Sequence, residues 1–120
     1  MEVKDILKQS AEEQIQGAEA EFLAGRKKNA VILYSKALFS VCDYVILINK
    51  IKLPEDHTDR FRILERHFNE IYGIVDEVWK TYTDTYLKLS DEEGFEAMKN
   101  AIKRIIIIGK VETEFSAHIK

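Results

Sequence analysis

A chain of 120 residues with a net charge of −3 is about one domain long, and its acidic and basic residues are mixed along the whole length. That mixing leaves no sequence-wide basic footprint for nucleic acid, so any RNA contact is local. One proline, five glycines and 46% hydrophobic residues exclude a disordered or loop-rich chain and point to long regular elements.

Residues 4–24 place Ile6, Ile15, Ala18, Phe22 and Leu23 close to helical spacing, and Gly25 supplies the stop. The opening Met1–Asp5 lacks the charged and then apolar regions of a signal peptide. A second helix is predicted from about Lys27 to Lys50, ending before Leu53-Pro54 because proline disfavours helix at the residue ahead of it. Between Ala30 and Ile48 only Lys36 and Asp43 are charged, so its apolar positions exceed the single stripe of a surface helix. Such a helix must be wrapped by the others or by a second copy of the chain. No run of about 18 apolar residues escapes interruption by a charge, so no membrane span is expected. Lys36 and Asp43, two turns apart on nearly one face, suit a buried pair or a dimer contact. Cys42, the one cysteine, lies inside this helix as a buried thiol and implies a reducing, cytoplasmic setting.

Pro54–Thr58 is the one clear loop. After it Phe61, Leu64, Phe68, Ile71, Val75, Val78 and Tyr82 recur at alternating steps of three and four, the seam of a long helix that Gly73 bends or splits. Ser90-Asp-Glu-Glu93 is a capping-box pattern opening a last helix with Phe95, Met98, Ile102, Ile105 and Ile106 on its buried side. Gly109 ends it, leaving Lys110–Lys120 as a further turn or a frayed tail. No alternating run bounded by turn signals occurs. The expectation is one all-α domain over residues 1–120, an up-and-down bundle of four to five helices.

The run Ala20-Glu-Phe22-Leu-Ala-Gly25-Arg-Lys-Lys-Asn-Ala30-Val-Ile-Leu-Tyr34-Ser-Lys-Ala37-Leu looks like one tetratricopeptide unit, which would make the chain a protein-interaction bundle. A shift of one repeat puts Asp59 under Gly25, Phe68 under Tyr34 and Ile71 under Ala37, so no second unit follows. One such repeat cannot bury its own apolar face. With the rest of the chain, the same residues resemble the HEPN superfamily of small helical proteins, above all its short prokaryotic members. The likeness comprises Phe22-Leu23-x-Gly25, then Ala30, Tyr34, Ala37-Leu38-Phe39 and Asp43, a loop reading Leu53-Pro54-x-x-His57, the seam helix, and Tyr82-x-Asp84-x-Tyr86 before the capped last helix.

The resemblance implies a HEPN-like bundle that pairs as a homodimer, with the exposed part of the second helix or the seam helix at the interface. It implies one of two functions. The first is a non-catalytic module binding a minimal nucleotidyltransferase-type partner, a nucleotide or RNA. The second is a metal-independent RNase toxin, whose signature is an arginine followed four to six residues later by histidine. In that chemistry the histidine shuttles protons for attack by the RNA 2′-hydroxyl and the arginine holds the charge growing on the phosphate. The pattern is present as Arg62-Ile-Leu-Glu-Arg-His67, and Arg60 precedes the same histidine. On a straight helix Arg60 and His67 lie within about 20° of one face, whereas Arg62 and His67 are about 140° apart. Arg60 is the better partner for His67 within one helix and Arg62 meets it only across a bend or a dimer cleft, which makes His67, Arg62 and Arg60 the candidate catalytic residues.

Two departures favour the non-catalytic module. Asn69 stands where toxin-like members carry tyrosine, and the motif falls earlier in the chain than in those members. The bland alternatives are a partly buried His67 bonded to Glu65 or Glu70, a His57 that braces its loop, and surface ion pairs for most of the arginines. Trp79, Tyr82 and Tyr86 continue the seam, which favours packing over base stacking. No glycine-rich phosphate loop, paired-cysteine site or nucleophile elbow occurs, and the three histidines lack metal-ligand spacing, so no cofactor or metal is expected.

Overall fold

The computed structural model describes residues 2–84 and 92–118. Among these residues five helices follow one another: α1 (Val3–Leu23), α2 (Lys27–Ile48), α3 (His57–His67), α4 (Asn69–Asp84) and α5 (Glu92–Ile108), with a 3-10 turn at Ser116–His118. The all-helical expectation holds. The capping-box residues Ser90 and Asp91, and Tyr86 of the tyrosine motif, lie outside the described residues.

Residue pairs fix the helix directions. Tyr34 reaches Glu19 and Ser40 reaches Gln14, so α1 runs antiparallel to α2. Phe95 packs on Tyr34 while Gly109 meets Val45, so α5 runs parallel to α2. The end of α4 puts Trp79 beside Phe39, and its start puts Ile71 near Ile108. Thus α1, α2, α4 and α5 run up, down, up and down, with short α3 in the link between α2 and α4.

The bundle wraps α2. Twelve of its residues are buried, among them Val31, Leu38, Val41 and Ile46, while Lys36 and Ile48 stay exposed. It is long and apolar enough to cross a membrane by length and composition, yet its apolar surface is spent on α1, α4 and α5. Wrapping by the chain's own helices satisfies the requirement that its composition imposes, without a second copy.

Three helix ends share one device. After α1, Arg26 N–H donates to the Glu21 carbonyl at 2.9 Å and Gly25 N–H to Phe22 at 3.0 Å, with Gly25 at φ 84°. This is a Schellman cap with glycine in the left-handed position. After α2 and α5 the left-handed position falls instead to Lys50 and Lys110, at φ 63° and 59°. Gly109 thus precedes the left-handed residue. It is small for another reason: a Cβ there would lie 2.7 Å from the Val45 side chain, so glycine permits the close approach of α5 to α2.

The predicted seam helix is two helices. The break falls at Phe68 (φ −139°, ψ 61°), not at Gly73, which sits exposed within α4. Phe68 still accepts from Tyr72 and donates to Leu64, so one residue leaves the helix with little loss of backbone bonding. The segment after Gly109 completes the core: Val111 and Phe115 are buried, Phe115 edge-on to Tyr44 with ring centres 5.4 Å apart.

Candidate functional site

Asp43 is the one acidic residue on the apolar α2 helix, and it needs a cationic partner to be carried into the bundle. The partner is Arg60 from α3. Its Nε donates to Asp43 Oδ1 at 2.7 Å and its Nη2 to Oδ2 at 2.9 Å, a two-pronged pair with only 12% and 16% of the side chains exposed. Lys36, the partner expected from the sequence, points to solvent.

Local sequence explains why Arg60 arrives there. Asp56 caps α3 by accepting from the Asp59 backbone N–H at 2.8 Å, which starts the helix at His57 and sets His57 and Arg60 one turn apart. Arg60 Nη1 lies 2.6 Å from His57 Nδ1. A guanidinium only donates, so Nδ1 accepts and the neutral ring carries its proton on Nε2. Burial lowers the His57 pKa below the ordinary histidine value, and the neighbouring Arg60 charge adds to that. Burial works against the Arg60 charge as well, but the Asp43 hydrogen bonds and carboxylate override it and raise its pKa.

Aromatic rings surround the group. Phe39 lies 5.0 Å beneath the guanidinium carbon, His57 is 4.6 Å from Phe39 and 5.2 Å from Trp79, and Phe61 meets Trp79 edge-on at 5.0 Å. Trp79 is therefore a packing residue of this cluster. The chemistry available is that of a held cation: Asp43, His57 and Phe39 together fix its position and its charge.

The residues predicted for catalysis are not gathered. Arg60 is bound up with Asp43 and His57. His67, the last residue of α3, is seven residues further along, about 10 Å of helix rise away. It is exposed, against the partly buried position expected, with its ring 6.4 Å from Phe68. Arg62 is also exposed and pairs with Asp59 at 3.3 Å. His67 does line a shallow cleft of about 240 Å³, with Phe68, Asn69, Glu70, Ile71 and Ile108, at the break between α3 and α4. Neither Arg60 nor Arg62 lines that cleft.

The sequence reading missed the link between Asp43 and the His57–Arg60 pair. Its signal was available in part: a lone carboxylate on an apolar helix requires a cation from the next helix, and Arg60 lies on the α3 face that carries His57. No family model, curated protein or solved structure matches the chain.

Proposed function

We propose that the chain is a non-catalytic, HEPN-like binding module that pairs as a homodimer and acts in the cytoplasm. The resemblance of its motifs supplies the partner class, a minimal nucleotidyltransferase-type protein, with nucleotide or RNA as the other ligands of such modules. One observation carries the non-catalytic reading. Arg60 directs its Nε and Nη2 to Asp43 and its Nη1 to His57, while His67 stands exposed at the far end of the helix. Phosphate-ester cleavage needs both groups within reach of one scissile phosphate. Since α2 is covered within the chain, a dimer would draw on other apolar surface, such as Val3 and Ile6, one turn apart on α1 and 51% and 49% exposed.

The test is incubation of purified protein with total RNA in excess chelator, with His67→Ala and Arg62→Ala beside the wild type. None of the three cleaves if the chain is a binding module. Cleavage by the wild type that is lost in His67→Ala would instead make it a metal-independent RNase. Light scattering at micromolar concentration then checks the homodimer: twice the 14.0 kDa chain mass is expected, and a monomer would remove that part of the proposal.

A further inference from the structure

An opening lies away from α3, in the groove between α1 and α5. It holds about 400 Å³, within the range of roughly 300–1,000 Å³ common to small-molecule sites. Tyr34 of α2 reaches it with its ring buried, and Ile15 and Ile102 supply apolar wall. The polar groups come from four separate parts of the chain: Gln16 and Glu19 on α1, the Tyr34 hydroxyl on α2, Lys99 and Lys103 on α5, and His118 on the C-terminal turn.

These groups are not equivalent. Tyr34 Oη donates to Glu19 Oε1 at 2.5 Å, and Lys99 Nζ lies 3.0 Å from the same oxygen. Glu19 is thereby held as a carboxylate: burial raises its pKa, but these bonds and the charges of Lys99 and Lys103 override that and lower it. The phenol in turn is held protonated, because burial and the adjoining carboxylate raise its pKa. Lys103 lies one turn beyond Lys99 on the same face and forms no ion pair with a described residue. The lining therefore carries two ammonium groups against one carboxylate, a net positive charge before His118 is counted.

We infer that this groove binds a small organic oxyanion, a phosphate or carboxylate joined to a short apolar body. Lys103 and His118 meet the anionic head, while Ile15, Ile102 and the Tyr34 ring cover the body. The Glu19–Tyr34–Lys99 set positions Lys99 and gives the site a rigid wall.

The full chain is titrated by calorimetry with phenyl phosphate, phenylacetate and inorganic phosphate. Saturable binding of phenyl phosphate or phenylacetate is expected, and the tighter of the two assigns the head group as phosphate or carboxylate. Lys103→Glu, on a partly exposed side chain outside the core, should weaken that binding by at least about tenfold, equivalent to roughly 1.4 kcal/mol. Lys36→Glu makes the same charge change on exposed α2 surface outside the groove and should leave binding unaltered. Failure of both aryl probes to bind at millimolar concentration would overturn the inference. Equal weakening by Lys36→Glu would overturn it too, since the attraction would then belong to the net charge. Inorganic phosphate binding as tightly as the aryl probes would remove the apolar body from the assignment.

Discussion

Helix α2 carries a polar group toward each of its ends, and the two are built from similar parts with opposite outcomes. Asp43 meets Arg60 beneath Phe39 and beside His57, with the charged side chains 12% and 16% exposed. Tyr34 meets Glu19, which also pairs with Lys99, and the Glu19 and Lys99 side chains are 39% and 33% exposed and open into the groove. An acid, a base and aromatic surface are present in both. Cover makes the difference. Where α3 and its aromatics close over the pair, the charges serve to fasten one helix to another. Where the cover stops short, the same ingredients leave cations facing solvent and a space in front of them.

The largest expected effect separates the two ends directly. Asp43→Ala leaves the Arg60 charge in the bundle without its carboxylate and should cost about 3–5 kcal/mol, the usual consequence of breaking a buried pair from one side. Urea denaturation monitored by circular dichroism reads it as a lower midpoint at an unchanged slope. Replacing both partners, as Asp43→Leu with Arg60→Met, should recover most of that loss, because the desolvation penalty leaves with the charges. A loss below about 1 kcal/mol in Asp43→Ala would mean that water reaches this pair as freely as it reaches a surface one.

At the open end, Tyr34→Phe removes a donor from a carboxylate that keeps Lys99 and meets solvent. The expected cost is about 1 kcal/mol, since Glu19 can exchange the lost bond for water. Measured in the same urea series, a cost as large as that of Asp43→Ala would show that the groove is closed in solution.

Acid should reveal the two groups in sequence. The His57 pKa is lowered in the folded chain, so the unfolded state binds its proton first and stability falls as pH drops below about 6.5 toward the folded value. Glu19 is lowered too, so its contribution is present above about 4.5 and fades as pH falls through its folded value. Urea midpoints across pH 7 to 3 should therefore decline in two steps. His57→Gln should flatten the upper step alone, and a persistent upper step in that variant would assign it to another group.

How much of this could be read beforehand depends on whether a feature is carried by spacing or by a contact across the bundle. The apolar excess of α2 and the buried sides of α4 and α5 followed from periodicity, because burial on one face repeats with the helix turn. The break at Phe68 escaped for the same reason. Phe61, Leu64, Phe68 and Ile71 keep their alternating steps across it, so a one-residue departure leaves the pattern intact. Gly109 looked like a helix stop, although its small size answers to Val45, a neighbour 64 positions away in sequence. Asp43 was visibly out of place on an apolar helix. Its partner came from α3 through an intervening loop whose course no spacing rule gives, and the groove residues Glu19, Lys99 and His118 meet only once α1, α5 and the C-terminal turn are assembled.

The smallest effect is expected two residues from Arg60, the partner of the residue with the largest. Arg62 and Arg60 sit on the same helix and each pairs with an aspartate, Arg62 with Asp59 at 3.3 Å. The Arg62 side chain is 70% exposed, and its pair spans a single helix turn, so it links nothing distant. Arg62→Ala should lower stability by less than about 0.5 kcal/mol, and that remnant should vanish in about 0.5 M salt, where the screening length is only a few ångströms. The loss from Asp43→Ala should survive the same salt, because a covered pair is screened far less. If salt erased both losses alike, the cover over Arg60 would have no energetic meaning, and the guanidinium would be free to turn from Asp43 toward a phosphate.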